Sequence, residues 1–370
     1  MSMLRDVRLI VLLATGLTLA GGFILDGRST AAAYLVAWVT WGAVPIGALA
    51  LWMTSYLVRR VWTEALFGQF VATTATLPVI AVASLPILLF IKQLYPAAAD
   101  PSALPPFKAY YLAPWFFILR SVIYFGLWVG FALWLRQAWR NDAAMVRAAS
   151  AGLIVYALTV SLAGVDWMES LEPDFHSSVY GLLFLSFTLL SGFAFVLGVS
   201  LLSGSRIGRS AGYSGLLLSL ILLWGYLHAM QYIVIWSGNI PDEVFWYQAR
   251  LEHGWQYLLG AVALGQFVLP FFALLSARVR SGPRTLMLLC GLTLLMRCCE
   301  AAILILPAIH DIAPRITALM LLASVLSLGT LLWLTFDLAL ANDGRLFSLA
   351  WGRRHLAGSE TPPARRGRPS

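Results

Sequence analysis

Apolar residues gather in ten long stretches, at roughly 9–25, 31–57, 71–91, 113–135, 148–167, 178–203, 213–236, 255–277, 285–306 and 316–338. Each is close to the ~20 residues that a helix rising 1.5 Å per residue needs to cross a bilayer core. The pattern predicts an all-α polytopic membrane protein with about ten transmembrane helices. Composition changes nothing in this picture: 60% of residues are hydrophobic and 11% are charged, against about 25% charged in a soluble domain. Such a chain is not a soluble enzyme, a disordered protein or a nucleic-acid-binding domain, despite a calculated isoelectric point near 9.6. Its expected surroundings are the lipid bilayer, and no nucleic-acid partner is expected. The first stretch follows Arg5 and Arg8 and has no clear small-residue cleavage site before Asp26, so it reads as a retained span.

The net charge of +8 is unevenly spread. Arg345, Arg353, Arg354, Arg365, Arg366 and Arg368 face only Glu360 in the last 26 residues, among Pro362, Pro363 and Pro369. This divides the chain into a transmembrane helical domain, 1–344, and a disordered basic cytoplasmic tail, 345–370. With the N-terminus in the cytoplasm, inner segments carry 18 Lys and Arg, outer segments five, and spans two, Arg120 and Arg297. The positive-inside rule therefore puts both termini in the cytoplasm. The elaborated loops then lie outside, at 92–112, 167–177 and 237–254, which suggests partners or chemistry on that face.

Ionisable residues inside spans are costly and are functional candidates by default. They are Arg120, Asp166, His228, Arg297, Glu300 and Asp337, and all but Asp337 fall in the outer half of their spans. Trp224, His228 and Gln231 are spaced i, i+4, i+7 and share one helix face. Arg297 and Glu300 are spaced i, i+3 and can pair. Pro173 should end the fifth span near Leu171, and Ser177 or Ser178 can cap the sixth. Asp166, Glu169 and Glu172 would repel one another unless a cation, a proton or arginines sit among them. Asp166, Glu172, His228 and Gln231 lie at similar depth, so one pocket is expected to contain all four. Pro78 and Pro86 should kink the third span.

Only His228 lies well inside a span, so paired axial histidines for a membrane haem are lacking. Cys290, Cys298 and Cys299 form no C-x-x-C, and no metal-ligand spacing, phosphate loop or hydrolase motif occurs. No haem, metal or iron–sulphur cluster is expected in this chain.

Two segments carry a resemblance. One is Val165-Asp166-Trp167-Met168-Glu169-Ser170-Leu171-Glu172-Pro173-Asp174 followed by Tyr180-Gly181. The other is Trp224-Gly225-Tyr226, Gln231 to Ile235, Trp236-Ser237-Gly238-Asn239-Ile240-Pro241-Asp242-Glu243, Trp246-Tyr247 and Gly254-Trp255. A weaker third contains Lys108, Tyr111-Leu112, Phe116-Phe117, Arg120, Tyr124-Phe125 and Trp128. Over roughly residues 34–275 the chain resembles the second quinone-binding subunit of alternative complex III, the bacterial quinol:cytochrome c oxidoreductase. That subunit belongs to the NrfD-like family of polysulfide reductase membrane subunits.

The resemblance implies two four-helix bundles with two peripheral helices, in the bacterial inner membrane. It implies a paralogous membrane subunit and periplasmic iron–sulphur and multihaem cytochrome c subunits as partners, and quinone or quinol as ligand. Asp166, Glu172, Gln231, Asn239, Asp242 and Glu243 match family positions, whereas Glu169 and His176 depart from the pattern. The expected proton path is Asp166, Glu172, Arg297 and Glu300; the expected quinone pocket is His228, Gln231, Arg120 and Trp224. Two other readings of the residues stay open: a secondary transporter using the outer-half polar cluster, and a non-catalytic anchor for periplasmic cytochromes.

The charge asymmetry makes a direct prediction. A cysteine placed at Ser359 should resist impermeant thiol reagents in intact cells and react after permeabilisation. Labelling in intact cells would reverse the topology.

Overall fold

The computed structural model describes residues 2–58, 64–100, 102, 104–139, 141–204 and 210–342. The basic tail therefore lies outside the described residues. All regular elements among the described residues are helical, and ten segments are long and apolar enough to cross a membrane. The chain is a multi-pass helical membrane protein.

We label the spans α1 (Ser2–Leu25), α2 (Gly27–Leu57), α3 (Phe67–Leu89), α4 (Pro114–Ala138), α5 (Asp142–Trp167), α6 (Tyr180–Leu202), α7 (Ser210–Gly238), α8 (Trp255–Leu275), α9 (Pro283–Ile305) and α10 (Pro314–Ala341). α2 to α5 pack as one four-helix group and α6 to α9 as another, joined along α2 and α6. α10 lies against α2, and α1 covers α10 from the lipid side. This is the grouping the resemblance implies.

The α2–α6 seam is built on glycine. A Cβ at Gly47 would stand 1.7 Å from the Thr188 carbonyl oxygen, and one at Gly192 would stand 2.5 Å from the Ala48 nitrogen. Lipid gives no hydrophobic drive to helix association, so close backbone approach over small residues supplies the dispersion contacts instead.

α3 shows how broken backbone is satisfied away from water. It crosses as Phe67–Thr74, Leu77–Val82 and Leu85–Leu89, with Pro78 and Pro86 in the first turns of the last two pieces. At these breaks Ser84 and Ile87 donate to the carbonyls of Ala81 and Ser84, three residues back. The carbonyls four residues back, of Ile80 and Ala83, instead accept from α2: Trp38 Nε1 at 3.0 Å and the Tyr34 hydroxyl at 2.8 Å. Hydrocarbon offers no other donor, so the kinks are coupled to the face α2 presents.

Polar links fix the two ends of the bundle. Arg8 of α1 pairs with Asp337 of α10 at one end. At the other, Asp26 caps α2 by accepting from the Ser29 amide at 3.0 Å, and the Ser29 hydroxyl accepts from the Ala313 amide at 2.9 Å. The Ser29 hydroxyl, which also donates to Asp26, and then the Ser29 amide hold the Asp26 carboxyl below its usual range. The elaborated loops share this second end, called the loop face below.

Any side chain at Gly47 must displace backbone. Gly47→Val and Gly192→Leu should therefore abolish a monodisperse peak in detergent. Gly126→Ala, at an open position, should elute as the parent does, and equal behaviour of all three would dismiss the seam as the organising contact.

Candidate functional site

Three buried arginine–carboxylate pairs lie toward the loop face, each tying together different segments. The first joins α4 to α5. Arg120 grips Asp166 with two bonds of 2.8 Å, from Nε to Oδ2 and from Nη2 to Oδ1. Its Nη1 donates to the Tyr111 carbonyl at 2.6 Å, and the Tyr124 hydroxyl donates to Asp166 Oδ2 at 2.7 Å. The guanidinium also lies 3.9 Å from the Tyr111 ring centroid. Burial, with Asp166 next in effect, pushes the Tyr111 phenol up to about 12. Asp166 is fully buried, and all three guanidinium nitrogens are bonded. Arg120 and Asp166 thus form a closed, fully satisfied pair. Beside it the Trp167 ring packs edge-on to Trp38 and Trp128, and the Tyr95 hydroxyl donates to the Trp167 carbonyl at 2.9 Å.

The second pair joins three loop-face segments. Arg250 sits on the helix Pro241–Leu251, is 1% exposed, and reaches Glu172 Oε2 at 2.7 Å. It also donates to the carbonyls of Ile303 and Leu304 at 3.0 Å each, and to that of Trp246 at 2.9 Å. A cation is well placed there, on the carbonyl end of the α9 dipole. Glu169 is separate: its Oε1 accepts the Ser177 amide at 3.1 Å. Lys108 donates to the Pro173 carbonyl at 2.7 Å. The repulsion expected among Asp166, Glu169 and Glu172 is thus met mainly by Arg120 and Arg250. A cleft of about 380 Å³ opens above, lined by Asp100, Glu172, Asp174, Phe245, Trp246 and His310 among others.

The third pair lies deeper, between α7 and α9. Glu300, 4% exposed, contacts Arg297 on its own helix. His228 Nε2 lies 2.9 Å from Glu300 Oε1, and Trp224 Nε1 donates to Oε1 and Oε2 at 3.0 and 3.2 Å. Helical spacing puts Trp224 and His228 one turn apart, so both reach one carboxylate. Arg297 is fully buried, with its guanidinium 4.8 Å from the Trp224 ring and 5.3 Å from that of Phe187. The His228 side chain is 30% exposed, whereas that of Glu300 is 5% exposed. His228 is therefore the way to Glu300 from the outside of the bundle. Gln231, one turn on, is 2% exposed, and its Oε1 takes no partner from the protein.

The single pocket expected from Asp166, Glu172, His228 and Gln231 is not formed. Asp166 is bonded to Arg120 of α4, Glu172 to Arg250, and His228 to Glu300 of α9. Arg120 likewise belongs with Asp166 and not with His228. Arg297 and Glu300 pair as their spacing predicts, and Trp224 joins His228 on Glu300. α6 is preceded by Val179 with no side-chain cap, so Ser177 and Ser178 do not serve as caps. Arg250 was legible only as a loop charge, yet it is among the most buried residues. Gln266 also escapes a search of ionisable residues, although it is fully buried in a span.

No family model and no curated protein matches this chain.

Breaking a buried pair on one side costs about 3–5 kcal/mol, whereas replacing both members with apolar residues is often neutral. Glu300→Gln should therefore lower thermal stability in detergent more than Arg297→Met combined with Glu300→Met. Equal losses would show that charge pairing does not govern this site.

Proposed function

We propose that this chain is the membrane subunit of a quinol-oxidising respiratory complex, a quinol:acceptor oxidoreductase of the kind its motifs resemble. The observation that carries the reading is the half-open His228–Glu300 pair: a buried carboxylate reached from the lipid side through one partly exposed imidazole. Quinol is a membrane-dissolved substrate whose oxidation releases two electrons and two protons. Its head group therefore needs hydrogen-bond partners at the lipid boundary and a base that is shielded from hydrocarbon.

The local groups suit that task. His228 Nε2 is engaged by Glu300, which leaves Nδ1 to accept from a quinol hydroxyl. A proton taken at Nδ1 is matched by one passed from Nε2 to Glu300, so the imidazole relays it without keeping a net charge. The free Gln231 Oε1 is a second acceptor on the same helix face. Trp224 fixes the carboxylate and flanks the imidazole, with ring centroids 4.5 Å apart. Arg297 balances the charge of Glu300 before the transfer, and its pull on the carboxylate favours onward release of the proton.

Electrons pass to the iron–sulphur and multihaem cytochrome c subunits that the resemblance implies, docked on the loop face beside a paralogous membrane subunit. In this reading the loop face is periplasmic, the membrane is the bacterial inner membrane, and both termini are cytoplasmic. Asp166 and Glu172 then act mainly as anchors, since Arg120 and Arg250 already bind their oxygens.

The test is His228→Leu in the intact complex. Quinol:acceptor turnover should fall at least about tenfold, the lower part of the range for acid–base groups. Subunit content and haem content should be unchanged. Full turnover in an assembled complex would sink the proposal.

A further inference from the structure

The α8 span is irregular where the others on its side of the molecule are regular. Its course is α-helical over Trp255–Val262, π-helical over Ala263–Val268 and α-helical again over Leu269–Leu275. Pro270 supplies the local reason. It has no N–H, so the carbonyl of Gln266 loses the donor that an unbroken α-helix would give it, and a wider turn absorbs the fault. Such π-turns recur at functional sites.

Gln266 sits within this turn, fully buried, and neither its Nε2 nor its Oε1 takes a partner from the protein. Its neighbours fix its level. Gly265 lies against Met296, whose Sδ would be 2.7 Å from a Cβ there, and Phe267 lies against Gly225. Met296 adjoins Arg297, and Gly225 adjoins Trp224. Gln266 is thus held at the level of the Glu300 cluster, between α7 and α9. One turn before Arg297 on α9, Thr293 is fully buried with its hydroxyl unpartnered. Arg297 pairs with Glu300 and lies against the Trp224 and Phe187 rings, but its Nε and Nη2 take no acceptor among the described residues.

Buried polar atoms left open by the protein are met by ordered water, each molecule commonly making about three hydrogen bonds. In a hydrocarbon setting no other solvent is at hand. The donor set also selects the ligand. Glu300 already balances the charge of Arg297, so no anion is required. Gln266 and Thr293 offer acceptors as well as donors, which suits a molecule that does both.

We propose that ordered water occupies the space between α7, α8 and α9 at this level, bound by Arg297, the Gln266 amide and the Thr293 hydroxyl. The water continues the polar contacts of Glu300 past Arg297 to α8. The inference stands on the unpartnered atoms and not on the quinol reading.

Radiolytic hydroxyl-radical footprinting of the full chain in nanodiscs tests it, because radicals born from internal water oxidise buried side chains nearby. Met296, 9% exposed, is the built-in reporter; Met320, 5% exposed, and the fully buried Met53 and Met145 are the controls on other helices, and a double variant separates internal water from exposure. Met296 should be oxidised several-fold faster than those three in the parent protein. Gln266→Leu combined with Thr293→Val should bring its rate down to theirs. A parent Met296 no faster than the three controls overturns the proposal, and needs no variant to fold. An unchanged Met296 rate in a folded double variant also overturns it. His228→Leu leaves this readout in place, so the water site and the quinol reading fail separately.

Discussion

A guanidinium in hydrocarbon must have a carboxylate within reach, and in this chain that requirement ties the loop-face half together. Arg120 binds α4 to Asp166 on α5. Arg250 binds a surface helix to Glu172 and to the last carbonyls of α9. Arg297 and Glu300 hold α9, with Trp224 and His228 of α7 on the same carboxylate. Lipid offers neither charge nor hydrogen bonds in place of a missing partner, so each pair restricts how its helices are turned and how far they slide. The glycine seam between α2 and α6 works from the opposite direction: it brings backbones together by close approach and not by charge.

The three pairs differ in how their carboxylates are held, and the proposed function rests on that difference. Asp166 is bound by both arms of Arg120 and by Tyr124. Taking up a proton would break bonds already made to its charged form. Glu172 is partly exposed, but Arg250 holds both of its oxygens. Glu300 shares its oxygens with one arginine, one indole and one imidazole that is itself open to the outside. Toward it lie several of the buried atoms that the protein leaves unmatched, on Arg297, Gln266, Thr293 and Gln231. Four such residues near one carboxylate are what the proposed quinol site and the proposed water site are built on.

The hydrophobic pattern alone placed the ten spans to within a few residues in most cases, because about 20 apolar residues are needed whatever the tertiary arrangement. The Arg297–Glu300 pair and the shared face of Trp224 and His228 were legible for a similar reason: helical spacing is local. The kinks in α3 were legible from Pro78 and Pro86, though the answering donors on α2 were not. The missed residues were legible only in part. Pro270 four residues after Gln266 marks a fault in α8, and a polar amide in a span is a signal in itself.

What the sequence determined by itself was the membrane class, the spans and the residues too polar to sit in lipid unaided, all set by transfer energies and local helical geometry. The tertiary structure decided which of those residues meet. The sequence puts Asp166, Glu172 and His228 at similar depth, yet depth says nothing about direction around a helix axis or about which neighbour that direction faces, and the structure sets His228 deeper. Rotation and helix order gave Asp166, Glu172 and Glu300 an arginine each, buried the loop residue Arg250, and turned Gln266 into the bundle. Those choices depend on side-chain packing across helices far apart in sequence, where pair energies and backbone approach are set together.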